Sequence, residues 1–185
     1  MTSQLEEVVL VDEAGSAVGT APKHEVHSTE TPLHRAFSCH ILNAAGQVLL
    51  TRRALSKLTW PGVWTNSLCG HPAPGEDTVA AIHRRAQQEL GASLADIRVA
   101  LPDFRYRAED ASGIVEHEIC PVFVALLDSE LAPCAEEVCE WAWADPAQLI
   151  AGVQAAPFAF SPWLGMHVPA IGPFLSEQLR AQGAR

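Results

Sequence analysis

The segment from Gly70 to Gly91, GHPAPGEDTVAAIHRRAQQELG, constrains the fold more than any other stretch of the chain. Its first residues are punctuated by Pro and Gly and read as a loop. From Asp77 to Leu90 the apolar residues Val79, Ile82, Ala86 and Leu90 recur at helical spacing, which predicts a helix with one face against a core. Glu76 or Asp77 suits the helix start, where an acidic group meets the dipole. Gly91 stops the helix. Cys69 and His71 flank Gly70, so a thiol and an imidazole stand at the entry to this loop and helix.

A chain of 185 residues is read as one domain. Apolar content of 48% against 18% charged residues is globular and sufficient for a sizeable core. The net charge of −10 argues against a nucleic-acid or anionic-membrane surface as partner. The N-terminal residues lack the pattern of a signal peptide, and no apolar stretch approaches a membrane span. Five cysteines, odd in number and without a paired CxxC layout, fit a reduced, cytoplasmic protein.

Residues 7–11 read as a strand, 12–15 as a turn and 20–34 as a loop. Residues 36–42 and 47–51 form two apolar runs joined by Asn43-Ala44-Ala45-Gly46, a hairpin signal. Residues 58–69 read as loop with a short strand. Residues 104–107 and 114–127 are strand-like, as are 140–144. Asp145-Pro146 starts a helix, with Asp as cap and Pro in the first turn. A less regular helical region runs from Phe158 to the end. This mixture predicts an α+β fold and not a doubly wound parallel sheet.

Three constellations carry chemistry. The first is metal-type: His27, His34 and His71, with Glu116 and Glu118 on one face of a strand and His117 on the other. Three imidazoles with carboxylate oxygens suit zinc or a transition ion better than magnesium. The second is basic: Arg52, Arg53 and Lys57 within six residues, with Lys23 and Arg85 elsewhere, in a chain with only 12 Lys and Arg. Such groups grip a diphosphate, or serve as ordinary surface charges. The third pairs the Cys69 thiol with the aromatics Trp60, Trp64 and Trp163. A Trp face stabilises a positive centre without offering a nucleophile.

The Gly70–Gly91 segment resembles a Nudix box, with Gly70, Glu76, Arg84, Glu89 and Gly91 in register and Arg85 and Gln88 where carboxylates normally stand. The runs TRRALSK (51–57), WPGVWTNSLCGHP (60–72), RRAQQELG (84–91), PDFRYRA (102–108), GIVEHEICPVF (113–123) and FAFSPW (158–163) resemble type I isopentenyl-diphosphate Δ-isomerases. The resemblance implies a single Nudix-type domain over 1–185, its core spanning about 8–165, with a mixed β-sheet sandwiched by helices and an irregular or helical tail. It implies a metal site of His27, His34, His71, Glu116 and Glu118 holding one Mn2+ or Zn2+ (or Mg2+). A Mg2+ at Glu89, near the Cys69 backbone, is implied as well. Cys69 matches the catalytic thiol, Glu118 the catalytic carboxylate, Tyr106 the residue that assists it, and Trp163 the aromatic facing the cation. Lys23, Arg53, Lys57 and Arg85 match diphosphate-binding positions. A monomer or weak homodimer acting on a small-molecule diphosphate is expected.

The implied reaction moves an unactivated double bond. It needs an acid and a base on opposite faces of a dry pocket, and a wall that tolerates a carbocation. Cys69 and Glu118 supply the pair, and which of them donates stays open at this level. Two rivals remain. A Nudix pyrophosphohydrolase would need several metal-held carboxylates, and Arg85 and Gln88 replace two. A diphosphate sensor without catalysis would have no use for the set Cys69, Glu118, Tyr106 and Trp163.

Overall fold

The structure, a computed structural model, describes residues 6–183. The strands in chain order are β1 (Glu7–Val11), β2 (Ala17–Pro22), β3 (His34–Arg35), β4 (Phe37–Leu42), β5 (Val48–Arg53) and β6 (Trp64–Thr65). They continue as β7 (Leu68–Gly70), β8 (Leu94–Leu101), β9 (Arg105–Glu109), β10 (Val115–Ile119), β11 (Val122–Leu127) and β12 (Val138–Ala144). The helices are α1 (Lys23–Val26), α2 (Thr78–Leu90), α3 (Pro146–Ala155) and α4 (Pro162–Gly183).

The side chains of the central strands sort the layers. Every residue of β4 is buried, so both faces of the sheet must be covered. Phe37, Cys39 and Ile41 pack with Leu49 and Phe123 against Ala81, Ile82, Ala86 and Leu90 of α2. On the other face Leu42, Val48, Leu50, Val122 and Val124 pack against Leu149 and Val153 of α3 and Leu164, Val168 and Ile171 of α4. The period-two alternation of strand side chains thus assigns each helix its face. The sheet order is β12-β5-β4-β11-β8, with β6 on β5 and β7 on β4. The expected sandwich of mixed sheet between helices is present. The last helix reaches beyond the final motif at Trp163, since Val168, Ile171 and Leu175 are fully buried.

A second sheet, β2-β1-β3-β10-β9, carries the metal-type residues. Two strands cross from it to the first sheet side by side. β3 continues into β4 through Ala36, and β10 into β11 through Cys120 and Pro121. The crossing is stitched by Ala36 N–H to the Ile119 carbonyl at 2.9 Å and Ser38 N–H to the Pro121 carbonyl at 3.1 Å. The single strand expected over 114–127 is therefore two strands in two sheets. Pro121 has no N–H to offer a ladder, which suits the break.

Other differences have local causes. The loop expected over 20–34 contains the end of β2, the one-turn helix α1 and β3. β8 pairs with β11 through two register shifts and passes through Asp96 at φ 51°, so its alternation is broken. The expected hairpin of β4 and β5 is paired only at Leu42 and Val48. Beyond that point the strands fork, and the segment 64–70 enters the fork. Ser67 Oγ accepts from Ile41 N–H at 2.8 Å and donates to the Leu49 carbonyl at 2.6 Å, satisfying backbone groups that the fork leaves open.

The helix expected from Asp77 is α2. The Asp77 carboxylate accepts from Val79 and Ala80 N–H at 2.9 and 3.2 Å. Gly91 adopts φ 57° and closes the helix. Gly70 is required for a different reason: a Cβ there would lie 2.9 Å from the Phe37 ring and 3.0 Å from the Arg85 stem.

Candidate active site

Four elements bring the metal-type side chains together. His27 caps the C-terminal end of α1, and His34 lies on β3. His34 stands beside Glu118 in the parallel pairing of β3 with β10. His71 directly follows β7. Ligand atoms of His27, His34, His71 and Glu118 lie within 4.8 Å of one another. His34 Nε2 and His71 Nε2 are 3.2 Å apart and lie 3.4 and 3.1 Å from Glu118 Oε1. His34 Nδ1 donates to the Pro32 carbonyl at 2.9 Å, which leaves the Nε2 lone pair for the cluster.

This donor set fits a divalent cation. Burial, reinforced by His71 and His34, brings the His27 pKa down to about 4. Burial lowers His71 too, against the pull of Glu118. At His34 burial lowers the proton affinity, but the hydrogen bond and charge of Glu118 outweigh it. Burial pushes Glu118 up, yet the His34 and His71 hydrogen bonds hold it well below the usual carboxylate range. The site therefore combines an ionised oxygen with two imidazoles, His27 and His71, that shed protons easily, while His34 holds its proton more tightly beside Glu118. Among the described residues, buried His27 Nε2 and His71 Nδ1 have no hydrogen-bond partner, a deficit a ligand would remedy for His27.

Glu116 does not join this cluster. Its two oxygens accept from Thr59 Oγ1 at 2.6 Å and Tyr106 OH at 2.7 Å. The two hydroxyls satisfy Glu116 where it stands, and the neighbouring Glu118 charge disfavours bringing both carboxylates to one point. Tyr106 correspondingly bonds to Glu116 and not to Glu118. Burial, then Glu116 and Glu118, pushes the Tyr106 phenol far up, so it keeps its proton.

The thiol sits in the fork of β4 and β5. Cys69 Sγ contacts Ser38 Oγ at 3.2 Å and Asn66 Nδ2 at 3.2 Å. Burial pushes the Cys69 pKa up to about 12, so the thiol is protonated. Trp163, in the first turn of α4 and 1% exposed, donates Nε1–H to Asn66 Oδ1 at 2.9 Å. Its ring meets Trp60 edge-on at 5.2 Å and Tyr106 at 5.7 Å. Cys69, Glu118, Tyr106 and Trp163 all line one cavity of about 710 Å3.

The same cavity is lined by Lys23, Arg53, Lys57, Arg85 and Glu89. Three of the cations face carboxylates: Lys23 pairs with Glu6, Lys57 with Glu137, and Arg85 with Glu89. Arg85 also approaches Glu137 at 3.4 Å and Glu6 at 3.6 Å. Arg53 instead donates to Thr59 and lies 5.7 Å from the Trp163 ring centre. Arg52 turns away from the cavity toward Glu140 at 2.7 Å.

The NUDIX domain pattern matches residues 32–164. A protein of Leifsonia xyli named isopentenyl-diphosphate Delta-isomerase is 59% identical over 184 residues, covering 98% of this chain and 100% of its own length. One of the same name from Kocuria rhizophila is 60% identical over 174 residues, covering 94% of this chain and 96% of its own. This chain belongs to the isopentenyl-diphosphate Δ-isomerase family of Nudix proteins. Solved structures support the fold alone. DR0079 from Deinococcus radiodurans superposes with a TM-score of 0.63 at 21% identity, covering 81% of this chain and 90% of its own. A MutT protein from Methanosarcina mazei Go1 gives 0.57 at 18% identity, covering 85% of this chain and 100% of its own.

Most of the residues singled out in the sequence line one cavity, His34 stands behind it against His71 and Glu118, and Glu116 is set apart from the imidazoles. Asn66 and Thr59 are among the side chains at the same cavity that carried no assigned role. Asn66 bonds both the thiol and Trp163. Thr59 bonds Glu116. A neutral amide or hydroxyl has no charge or spacing signature, and only the quoted run containing Asn66 pointed near it.

Proposed function

We propose that this protein interconverts isopentenyl and dimethylallyl diphosphate for isoprenoid biosynthesis in the cytoplasm. The observation that carries the reading is that the Cys69 thiol and the Glu118 carboxylate line a single cavity with Trp163. The reaction adds a proton to the terminal methylene carbon and removes another two carbons along. Its intermediate has the character of a tertiary carbocation. With the thiol protonated and Glu118 ionised, the pair contains one donor and one acceptor, as a reversible proton shift requires. Trp163 presents a π face to the developing positive charge, and its burial keeps water from quenching it. Tyr106 holds a second proton close to the carboxylates.

Lys23, Arg53, Lys57 and Arg85 are assigned to the diphosphate. Holding the charged end positions the small hydrocarbon against the reacting groups. A divalent ion (Mn2+, Zn2+ or Mg2+) at His27, His34, His71 and Glu118, and a Mg2+ at Glu89 near the Cys69 backbone, would fix the carboxylate, lower its proton affinity and neutralise phosphate charge. Glu116 is assigned to the same metal centre on the resemblance alone, through rotation away from Thr59. A monomer or weak homodimer needs no other partner for this chemistry. The pyrophosphohydrolase reading is weaker, because Arg85 and Gln88 stand at two positions where the box normally has metal-holding carboxylates.

The test incubates purified protein with isopentenyl diphosphate and Mg2+ plus Mn2+. Dimethylallyl diphosphate is the expected product, and phosphate release without isomer would establish the hydrolase instead. Cys69→Ala and Glu118→Gln should each lower turnover by about 10^3-fold or more while circular dichroism stays unchanged. Either variant running near the wild-type rate sinks the assignment. Exhaustive chelation should abolish turnover, and metal analysis of the protein as purified identifies the ion at the His/Glu cluster.

A further inference from the structure

Ser38 is the second residue of β4, on the face it shares with Leu42 and opposite to Phe37, Cys39 and Ile41. It is fully buried, and its backbone stands level with Cys69 on β7 and with Val122 on β11. Among the described residues, the partners of its hydroxyl are two sulfurs, Cys69 Sγ at 3.2 Å and Cys120 Sγ at 3.4 Å. Sulfur donates and accepts only weakly. Withdrawing a hydroxyl from water for such partners returns little stability, and an alanine would nearly fill the same space. Packing therefore does not account for the hydroxyl.

Asn66 gives a second, independent observation. Its oxygen accepts from Trp163 Nε1 at 2.9 Å and from Thr65 Oγ1 at 3.0 Å. Those two donors fix the orientation of the amide, so that Nδ2 faces Cys69 Sγ at 3.2 Å. The sulfur thus meets an amide N–H from one residue and a hydroxyl from another. Cys69 and Asn66 line the cavity, and the fully buried Ser38 stands behind the sulfur. The reacting side of the thiol is left open, and the two neutral groups hold it from the protein side.

We propose that Ser38 is a positioning residue, whose hydroxyl steadies the Cys69 sulfur whenever that sulfur is without its proton. This rests on the isomerase reading, in which the thiol loses and regains a proton in each cycle. With the proton on Cys69, the S–H donates to Ser38 Oγ and the Ser38 O–H turns toward Cys120 Sγ. With the proton gone, rotation about the Cβ–Oγ bond brings the O–H onto the Cys69 thiolate, beside the N–H of Asn66, and the Cys120 S–H donates to Oγ. Ser38 keeps its own proton throughout. Only the Cys69 proton changes hands, between sulfur and a substrate carbon. A hydrogen bond to a charged acceptor is stronger than one to a neutral thiol, so the hydroxyl contributes most in the state through which the chemistry passes.

The experiment compares Ser38→Ala, which removes the hydroxyl, with Ser38→Thr, which keeps it. Ser38→Ala should lose about 10- to 100-fold in kcat with KM within about threefold, the range expected for a lost hydrogen bond to a charged group. Ser38→Thr should hold kcat to within about threefold of wild type. In parallel, each protein is treated with iodoacetamide and the alkylation of Cys69 is followed by peptide mass spectrometry. The thiolate is the species that reacts, so Ser38→Ala should slow alkylation of Cys69 by about tenfold or more. The exposed Cys139 serves as internal reference, and its rate should not change. Wild-type kcat, or a wild-type rate of Cys69 alkylation, in Ser38→Ala overturns the proposal. Equal losses in both variants also overturn it, because shape and not the hydroxyl would then matter. If the wild-type protein proves not to isomerise, the functional reading fails, and the alkylation rates alone still decide whether Ser38 steadies the thiolate.

Discussion

Asn66 is neutral and fully buried, and it sits three residues before the thiol. Its amide donates to the Leu68 carbonyl at 2.7 Å and the Cys39 carbonyl at 3.2 Å. Its oxygen accepts from Trp163 Nε1 and, at 3.0 Å, from Thr65 Oγ1. Truncation leaves several buried groups without partners, each worth about 1–3 kcal/mol. Asn66→Ala is therefore expected to lower Tm by about 5–10 °C and turnover by more than about tenfold, read by thermal melts and the isomerisation assay. A stable, fully active Asn66→Ala would show that Cys69 and Trp163 are placed by packing alone. Residue types with their own chemistry, such as Cys69, His27, His34, His71 and Glu118, were legible in the sequence. Strand alternation also placed Glu116 and Glu118 on one face, and both are buried. It could not show that Thr59, 57 residues away, captures one of them.

At the scale of elements, legibility followed burial. β4 and β11 are covered on both faces and read as apolar runs. α2 was legible through its apolar period and both of its ends. The termini of α2 invite a direct test. Asp77→Ala removes a cap and should cost about 1 kcal/mol. Gly91→Ala should cost more, because its φ of 57° disfavours a side chain and a Cβ would lie 2.7 Å from the Ala132 carbonyl oxygen. Urea unfolding of the two variants checks that order, and Gly91→Ala as stable as Asp77→Ala would refute it. α1 is only one turn long and β8 bends through Asp96, so neither shows a period in the sequence. α4 contains Pro169 and Pro173, which disguise a helix that tertiary burial of Val168 and Ile171 sustains.

At the scale of the whole molecule, a pair of histidines ties the sheet to the last helix. His40 Nε2 on β4 and His167 Nδ1 on α4 share a hydrogen bond of 2.9 Å inside the core. Burial brings the His40 pKa down to about 3 and, with His40 adding repulsion, holds His167 well below its ordinary value. Both groups bind protons more readily in the unfolded chain, so stability is fully present above about pH 6.5 and is lost as pH falls toward the folded values. The expected slope is roughly 1.4 kcal/mol per pH unit for each histidine. Urea unfolding between pH 7 and pH 5 measures it, and His167→Gln should flatten the profile. A profile unchanged by that substitution would show that other groups govern the acid side.

The pairing of Lys23, Lys57 and Arg85 with Glu6, Glu137 and Glu89 has a consequence for how charge enters the cavity. On the proposed reading, an incoming diphosphate meets only Arg53 without a carboxylate partner; at the other three cations it displaces anions already in place. Capture is then an exchange of counterions, and the long-range attraction that ionic strength would screen is small from the outset. KM should rise by less than about threefold between 50 and 500 mM NaCl, where unpaired cations would give a steep rise. The displaced carboxylates are left facing the phosphate oxygens, an arrangement that a divalent counterion arriving with the substrate would relieve.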